Sequence, residues 1–144
     1  MQSVLPVLAI LGGILMVFSV TMLVPLAFAF IGGDAALYAY DGAILLTLGC
    51  GLALFFSCRR FKRELQPRDG FLLVSLVWSV LPAFGALPLL LHIPGLSFTD
   101  AYFEAVSGLT TTGSTVLTGL EKLPLSINVW RCFMVLLGGM GILV

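Results

Sequence analysis

From Val4 to Ile31 the chain carries no charged side chain, and the first charge is Asp34. As one helix that run measures about 42 Å, against a hydrocarbon core of about 30 Å, so a spanning helix must tilt, bend or overshoot. Pro25 is the expected bend. A second uncharged run, Gly42 to Cys58, lies between Asp41 and Arg59, and Tyr38 and Tyr40 before it suit a membrane interface. The third, Gly70 to Leu91, is long enough to span and contains Trp78, Pro82 and Pro88. The fourth begins near Ile127 and continues to Val144. One apolar stretch departs from this pattern. Phe98 to Leu109 carries Asp100 and Glu104, is too short and too polar to span, and reads as re-entrant or interfacial.

Composition agrees. Sixty per cent of the residues are hydrophobic and 10% are charged, with seven basic and seven acidic side chains. Soluble domains carry about 25% charge. A disordered chain needs low hydrophobicity with high charge, and a nucleic-acid binder needs basic excess; neither is present. A lipid-embedded chain is what remains. Five of the seven basic residues (Arg59, Arg60, Lys62, Arg63 and Arg68) fall in one short loop, which the positive-inside rule puts in the cytoplasm. The N-terminus is then cytoplasmic and the His92–Ser126 stretch faces outward. Ala27-Phe28-Ala29 has the look of a signal cleavage site, but no basic region precedes it and the apolar run is too long, so no cleavage is expected. Cys50, Cys58 and Cys132 are widely spaced and read as small buried hydrophobes. No clustered metal ligands and no catalytic grouping appear, so an enzyme is not expected, nor any cofactor.

The chemistry concentrates between Leu96 and Gly119. Ser97, with Asp100 three residues on, has the form of a capping box, predicting a short helix from Phe98 to about Ser107 with Gly108 as its left-handed stop. Thr110-Thr111-Thr112-Gly113-Ser114-Thr115 follows, five hydroxyl residues and a glycine, poor material for a lipid-facing surface. Irregular backbone at membrane depth is tolerated only where it is buried in protein or lines water. The helix would end with its carbonyls, and roughly half a negative charge, directed into the membrane. The extended return would then offer backbone carbonyls able to replace the hydration shell of a monovalent cation. A polar external loop is the other reading of the same residues. Glu104 within the short helix needs a partner at membrane depth, and Arg131, about 6 Å inside the fourth span, is the candidate. Exchange of the two charges is expected to restore what either single change loses. Gly138, Gly139 and Gly141 suit close packing against the short helix. Asp34 and Asp41 read as solvated loop charges, Asp100 as a helix-start residue, and His92 as interfacial.

The string from Phe103 to Thr115 (FEAVSGLTTTGST), then Trp130-Arg131 and Leu137 to Gly141 (LGGMG), resembles the membrane subunit of Trk-type bacterial potassium uptake systems. This is the TrkH/TrkG branch of the Trk/Ktr/HKT superfamily. The resemblance implies an all-α membrane fold with four covalently linked repeats of span, pore helix, filter and span around one potassium-channel-like pore, preceded in this branch by a helix pair. Residues 1–64 would be that pair. Residues 65–144 would be the first repeat, with outer span 70–92, pore helix 98–108, filter 110–115 and a truncated inner span 126–144. It implies potassium on the backbone carbonyls of Thr110, Thr111, Thr112 and Gly113, centred on Thr111 and Thr112, with Ser114 at the margin and Glu104 and Arg131 as structural support. It also implies the bacterial inner membrane, potassium as cargo, lipid contact, three further repeats, a homodimer and a cytoplasmic nucleotide-binding TrkA-like subunit, with no nucleic acid as partner. Family members carry four filters in one chain and this sequence carries one, so a fragment that does not conduct alone is expected. The alternative is a small four-span structural or assembly protein without a pore.

Overall fold

The computed structural model describes residues 4–61 and 64–143, with only the backbone of residues 142 and 143. Lys62 and Arg63 of the basic loop therefore lie outside the described residues. The described residues form seven α-helices and one short 3-10 turn: α1 Val4–Thr21, α2 Leu23–Gly32, α3 Leu37–Cys58, α4 Pro67–Gly85, α5 Leu87–His92, α6 Phe98–Leu109 and α7 Leu125–Leu143, with the turn at Leu120–Lys122 before α7. Among the described residues three helical stretches are long and apolar enough to cross a membrane: Val4–Gly32, Leu37–Cys58 and Pro67–His92. The apolar stretch Leu125–Gly141 of α7 is shorter.

Prolines set the breaks. The first span is interrupted at Met22, one turn before the expected bend at Pro25. Pro25 has no N–H for the carbonyl of Thr21, and its ring crowds that carbonyl, so the disturbance falls four residues upstream. Met22 N–H turns instead to Ser19 O at 3.2 Å. Likewise α4 tolerates Pro82 in its interior, and the interruption at Ala86 precedes Pro88. At its start, α4 gains nearly a turn over the apolar run. Pro67 occupies the first helical position and Asp69 Oδ2 accepts the Gln66 N–H at 3.0 Å, closing a capping box that the hydrophobic pattern did not reveal.

α1 and α3 pack closely where Gly12 meets Gly51: a Cβ at Gly12 would stand 2.7 Å from Gly51 O and from Phe55 N. Small residues at such crossings let helix backbones approach in a membrane bundle. Helix α6 lies between α4 and α7, and α2 packs on α7. Many of the buried side chains form a cluster that draws on both the helix pair and the later helices, among them Phe18, Met22, Tyr40, Leu89, Leu109 and Trp130. Trp130 is fully buried within it, 5.7 Å from the Phe18 ring, with its indole N–H donated to Gly85 O at 2.9 Å. Large apolar side chains such as Phe30, Ile31, Leu45 and Phe71 stand exposed on the outside. Of the cysteines only Cys58 is buried; Cys50 and Cys132 are exposed, against expectation, because each falls on an outer helix face.

Candidate functional site

Helix α6 begins where its sequence implies, with the serine half of the expected capping box formed. Ser97, in extended conformation, accepts the Asp100 N–H on its hydroxyl at 3.1 Å. Tyr102 donates its hydroxyl to Ser79 O of α4 at 2.9 Å, which ties the helix to the preceding span. The end differs from expectation. Gly108 is inside the helix rather than a left-handed stop, and α6 runs on to Leu109. The reason is tertiary. A Cβ at Gly108 would stand 3.2 Å from Met134 Cβ, so this glycine makes room for α7.

Past Leu109 the chain reverses on a compact set of bonds. The N–H groups of Thr110, Thr111, Thr112 and Gly113 donate to Val106 O, Gly108 O, Ser107 O and Ser107 O, at 2.8, 3.0, 2.9 and 3.3 Å. The helix carbonyls that the sequence aims at a cation are thus taken by the returning strand's own amides. Ser107 also donates its hydroxyl to Ser114 O at 2.6 Å. Thr110 Oγ1 donates to Val106 O and lies 2.8 Å from Thr112 Oγ1. Among the described residues, no N–H or O–H donates to the carbonyl oxygens of Thr110, Thr111, Thr112 or Gly113. Four consecutive acceptors are left for an external donor or cation. Thr111 (φ 59°) and Gly113 (φ 77°) both take positive φ. Glycine adopts that region readily, whereas a β-branched residue there is strained. Thr111 to Thr115 are exposed.

Glu104 anchors the next part of the return. It is 3% exposed, and its Oε1 accepts from the Thr115 hydroxyl, from Val116 N at 2.6 Å and from Leu117 N at 3.3 Å. Its Oε2 meets Arg131 Nε of α7 at 3.2 Å. One buried carboxylate thus joins α6, the returning strand and α7. The structure brings Glu104 and Arg131 together; Thr110 to Gly113 come directly before the residues that Glu104 holds. The glycines expected to line α7 divide. Gly138 lies directly on the Leu109 backbone, Gly139 is close to Thr111 Cγ2, and Gly141 meets nothing within 4 Å.

Asp34 corrects the sequence expectation of a solvated loop charge: it is half-buried and its Oδ2 accepts the Ser126 N–H at 3.2 Å, at the start of α7. Asp41 and Asp100 are exposed, and His92 closes α5. The part played by Ser107 is not evident from sequence. Its only signal is a hydroxyl one turn before the threonine run, at a position that reads equally well as helix surface. Among the described residues no group of side chains could hold a metal ion in the usual His, Cys and carboxylate manner.

The family model described as TrkH, a cation transport protein, matches residues 40–144. The chain belongs to the TrkH family. It is similar to the Trk system potassium uptake protein TrkH of Halomonas elongata, 46% identical over 144 residues, which are 99% of this chain and 30% of that protein. Against TrkH of Escherichia coli K12 it is 44% identical over 136 residues, 94% of this chain and 28% of that protein. The fold matches the crystal structure of the potassium transporter TrkH from Vibrio parahaemolyticus with a TM-score of 0.87 and 46% identity, covering 94% of this chain and 29% of that one. The chain spans about 30% of the length of the curated TrkH relatives it matches. As a TrkH-family chain with, among the described residues, three helical stretches long and apolar enough to cross a membrane, it is a membrane protein.

Proposed function

We propose that this chain supplies one filter segment, Thr110 to Thr115, to a Trk-type potassium uptake protein. The observation that carries the proposal is the run of four undonated carbonyls from Thr110 to Gly113, whose own amides are all spent on Val106, Ser107 and Gly108. A strand with its donors satisfied and its acceptors open is built for a cation and against an anion. In this reading residues 1–64 are the preceding helix pair and 65–144 the first repeat. Potassium is cargo held on backbone oxygen, with Thr111 and Thr112 at its centre, and no cofactor is called for. Glu104 and Arg131 brace the strand from behind. In this reading residues 59–68 face the cytoplasm and the filter entrance faces outward, in a bacterial inner membrane, a reading the basic loop and the positive-inside rule support. One segment cannot close a ring of carbonyls, so conduction needs three further repeats. A homodimer and a TrkA-like regulatory subunit follow from the family likeness as further partners.

The test is uptake in a full-length transporter in which residues 1–144 replace the matching part of Vibrio parahaemolyticus TrkH. Gly113→Ser and Thr112→Val are expected to lower potassium uptake or shift the potassium-to-sodium preference. Unchanged transport and preference in both would refute the filter assignment.

A further inference from the structure

Two side chains of the N-terminal helix pair grip one residue of α7. Asp34, in the turn between α2 and α3, accepts the backbone N–H of Ser126 on Oδ2 at 3.2 Å. Tyr40, in the first turn of α3, donates its hydroxyl to the carbonyl of the same residue at 2.8 Å. Tyr40 and Ser126 are both fully buried. The N–H that Asp34 accepts belongs to the first turn of α7, where amides have no acceptor in their own helix and negative charge is favoured. The Ser126 hydroxyl is buried without a partner among the described residues, so the grip is on the backbone and not on the serine side chain.

The consequences run along α7. Gly138, about 18 Å further along the helix, rests on the carbonyl of Leu109, the last residue of α6. Between the two, Trp130 is pinned to Gly85 O, Arg131 reaches Glu104, and Met134 fills the space over Gly108. Gly139 stands beside Thr111. A helix held at its first turn and meeting the threonine strand further along carries any axial shift from one place to the other, because packed interiors repack in steps and do not stretch.

We propose that the N-terminal helix pair sets the position of α7 through Asp34 and Tyr40, and thereby the shape of Thr110–Gly113. Asp34 and Tyr40 are then positioning residues for ion selection, although both lie far ahead in sequence of the strand they govern. The inference rests on the filter reading above.

The experiment uses the same full-length transporter and reads the apparent potassium KM, the maximal rate and the potassium-to-sodium preference, with melting temperature in detergent alongside. Tyr40→Phe removes one hydroxyl; Asp34→Ala removes the acceptor, and Asp34→Asn keeps an oxygen in place. Loss of one buried hydrogen bond corresponds to about a fivefold effect. The preference or KM is expected to change by about that factor in Tyr40→Phe and Asp34→Ala, with Asp34→Asn nearer the parent. Tyr38→Phe, the same change on an exposed tyrosine of the same helix, is expected to match the parent. A fall in maximal rate or melting temperature with preference and KM unchanged would overturn the inference and leave a structural role alone. Parental values in Tyr40→Phe and Asp34→Ala, while Gly113→Ser shifts them, would also overturn it and spare the filter reading. Parental values in both Gly113→Ser and Thr112→Val would bring down both.

Discussion

Gly138 of α7 lies on the backbone carbonyl of Leu109, so closely that any Cβ there would overlap it. The contact fixes the end of the short helix α6 against α7, directly before the threonine strand. Gly138→Ala is therefore expected to destabilise the fold by about 1–3 kcal/mol, the usual range for forced overpacking. Gly141→Ala, with nothing within 4 Å, is expected to be neutral or to gain up to about 1 kcal/mol from helix propensity. Melting temperatures of the two variants in detergent check the contrast; equal values would contradict the packing described.

The two oxygens of the Glu104 carboxylate have different partners, and they predict unequal mutants. Arg131→Ala leaves Oε1 with its three donors from Thr115, Val116 and Leu117, whereas Glu104→Ala strips acceptors from the strand as well as the partner from Arg131. Glu104 is buried and Arg131 partly exposed, so the loss falls below the about 3–5 kcal/mol of a fully buried pair, and Glu104→Ala is expected to lose more than Arg131→Ala. The structure also reverses the expectation for charge exchange. Arginine has no acceptor for the Val116 and Leu117 amides, so Glu104→Arg with Arg131→Glu is expected not to restore transport or stability. Rescue by the exchange, measured by uptake, would show that the pair acts through charge alone.

Thr111 holds a left-handed conformation with a β-branched side chain. Such a residue stores about 1–2 kcal/mol. Thr111→Gly is expected to relieve that strain and raise or preserve the melting temperature, while loosening the strand and lowering potassium-to-sodium preference. A lower melting temperature in Thr111→Gly would mean that the threonine side chain contributes more packing than its backbone conformation costs.

Gly113 has no neighbour within 4 Å that a Cβ would meet, yet its φ is 77°. The expected penalty for Gly113→Ala is thus conformational, about 1–2 kcal/mol, and shows as changed transport more than as changed stability. A large drop in melting temperature for Gly113→Ala would contradict this.

Local signals carried much of the architecture. The first three charge-free runs placed the three helical stretches long enough to span, the Ser97 hydroxyl placed the start of α6, and the depth of Arg131 pointed to Glu104. The remainder depended on what meets what across the fold. Nothing near Asp34 in sequence indicates that its carboxylate meets Ser126, because the two are far apart along the chain. Gly108 reads as a helix stop until Met134 is seen above it, and Gly138 differs from Gly141 only by the presence of Leu109. The first break falls at Met22 because proline acts on the carbonyl four residues earlier. The roles of the Ser107 carbonyl and hydroxyl emerge only once the strand has folded back onto it.

The central claim, that the Thr110–Gly113 carbonyls hold a permeating cation, is tested most directly by locating the ion. Crystals of the full-length chimaera soaked in rubidium, with anomalous data at the rubidium edge, are expected to show density within coordination distance of these carbonyls, lost or displaced in Gly113→Ser. Rubidium in the pore with none against residues 110–113 would contradict the account.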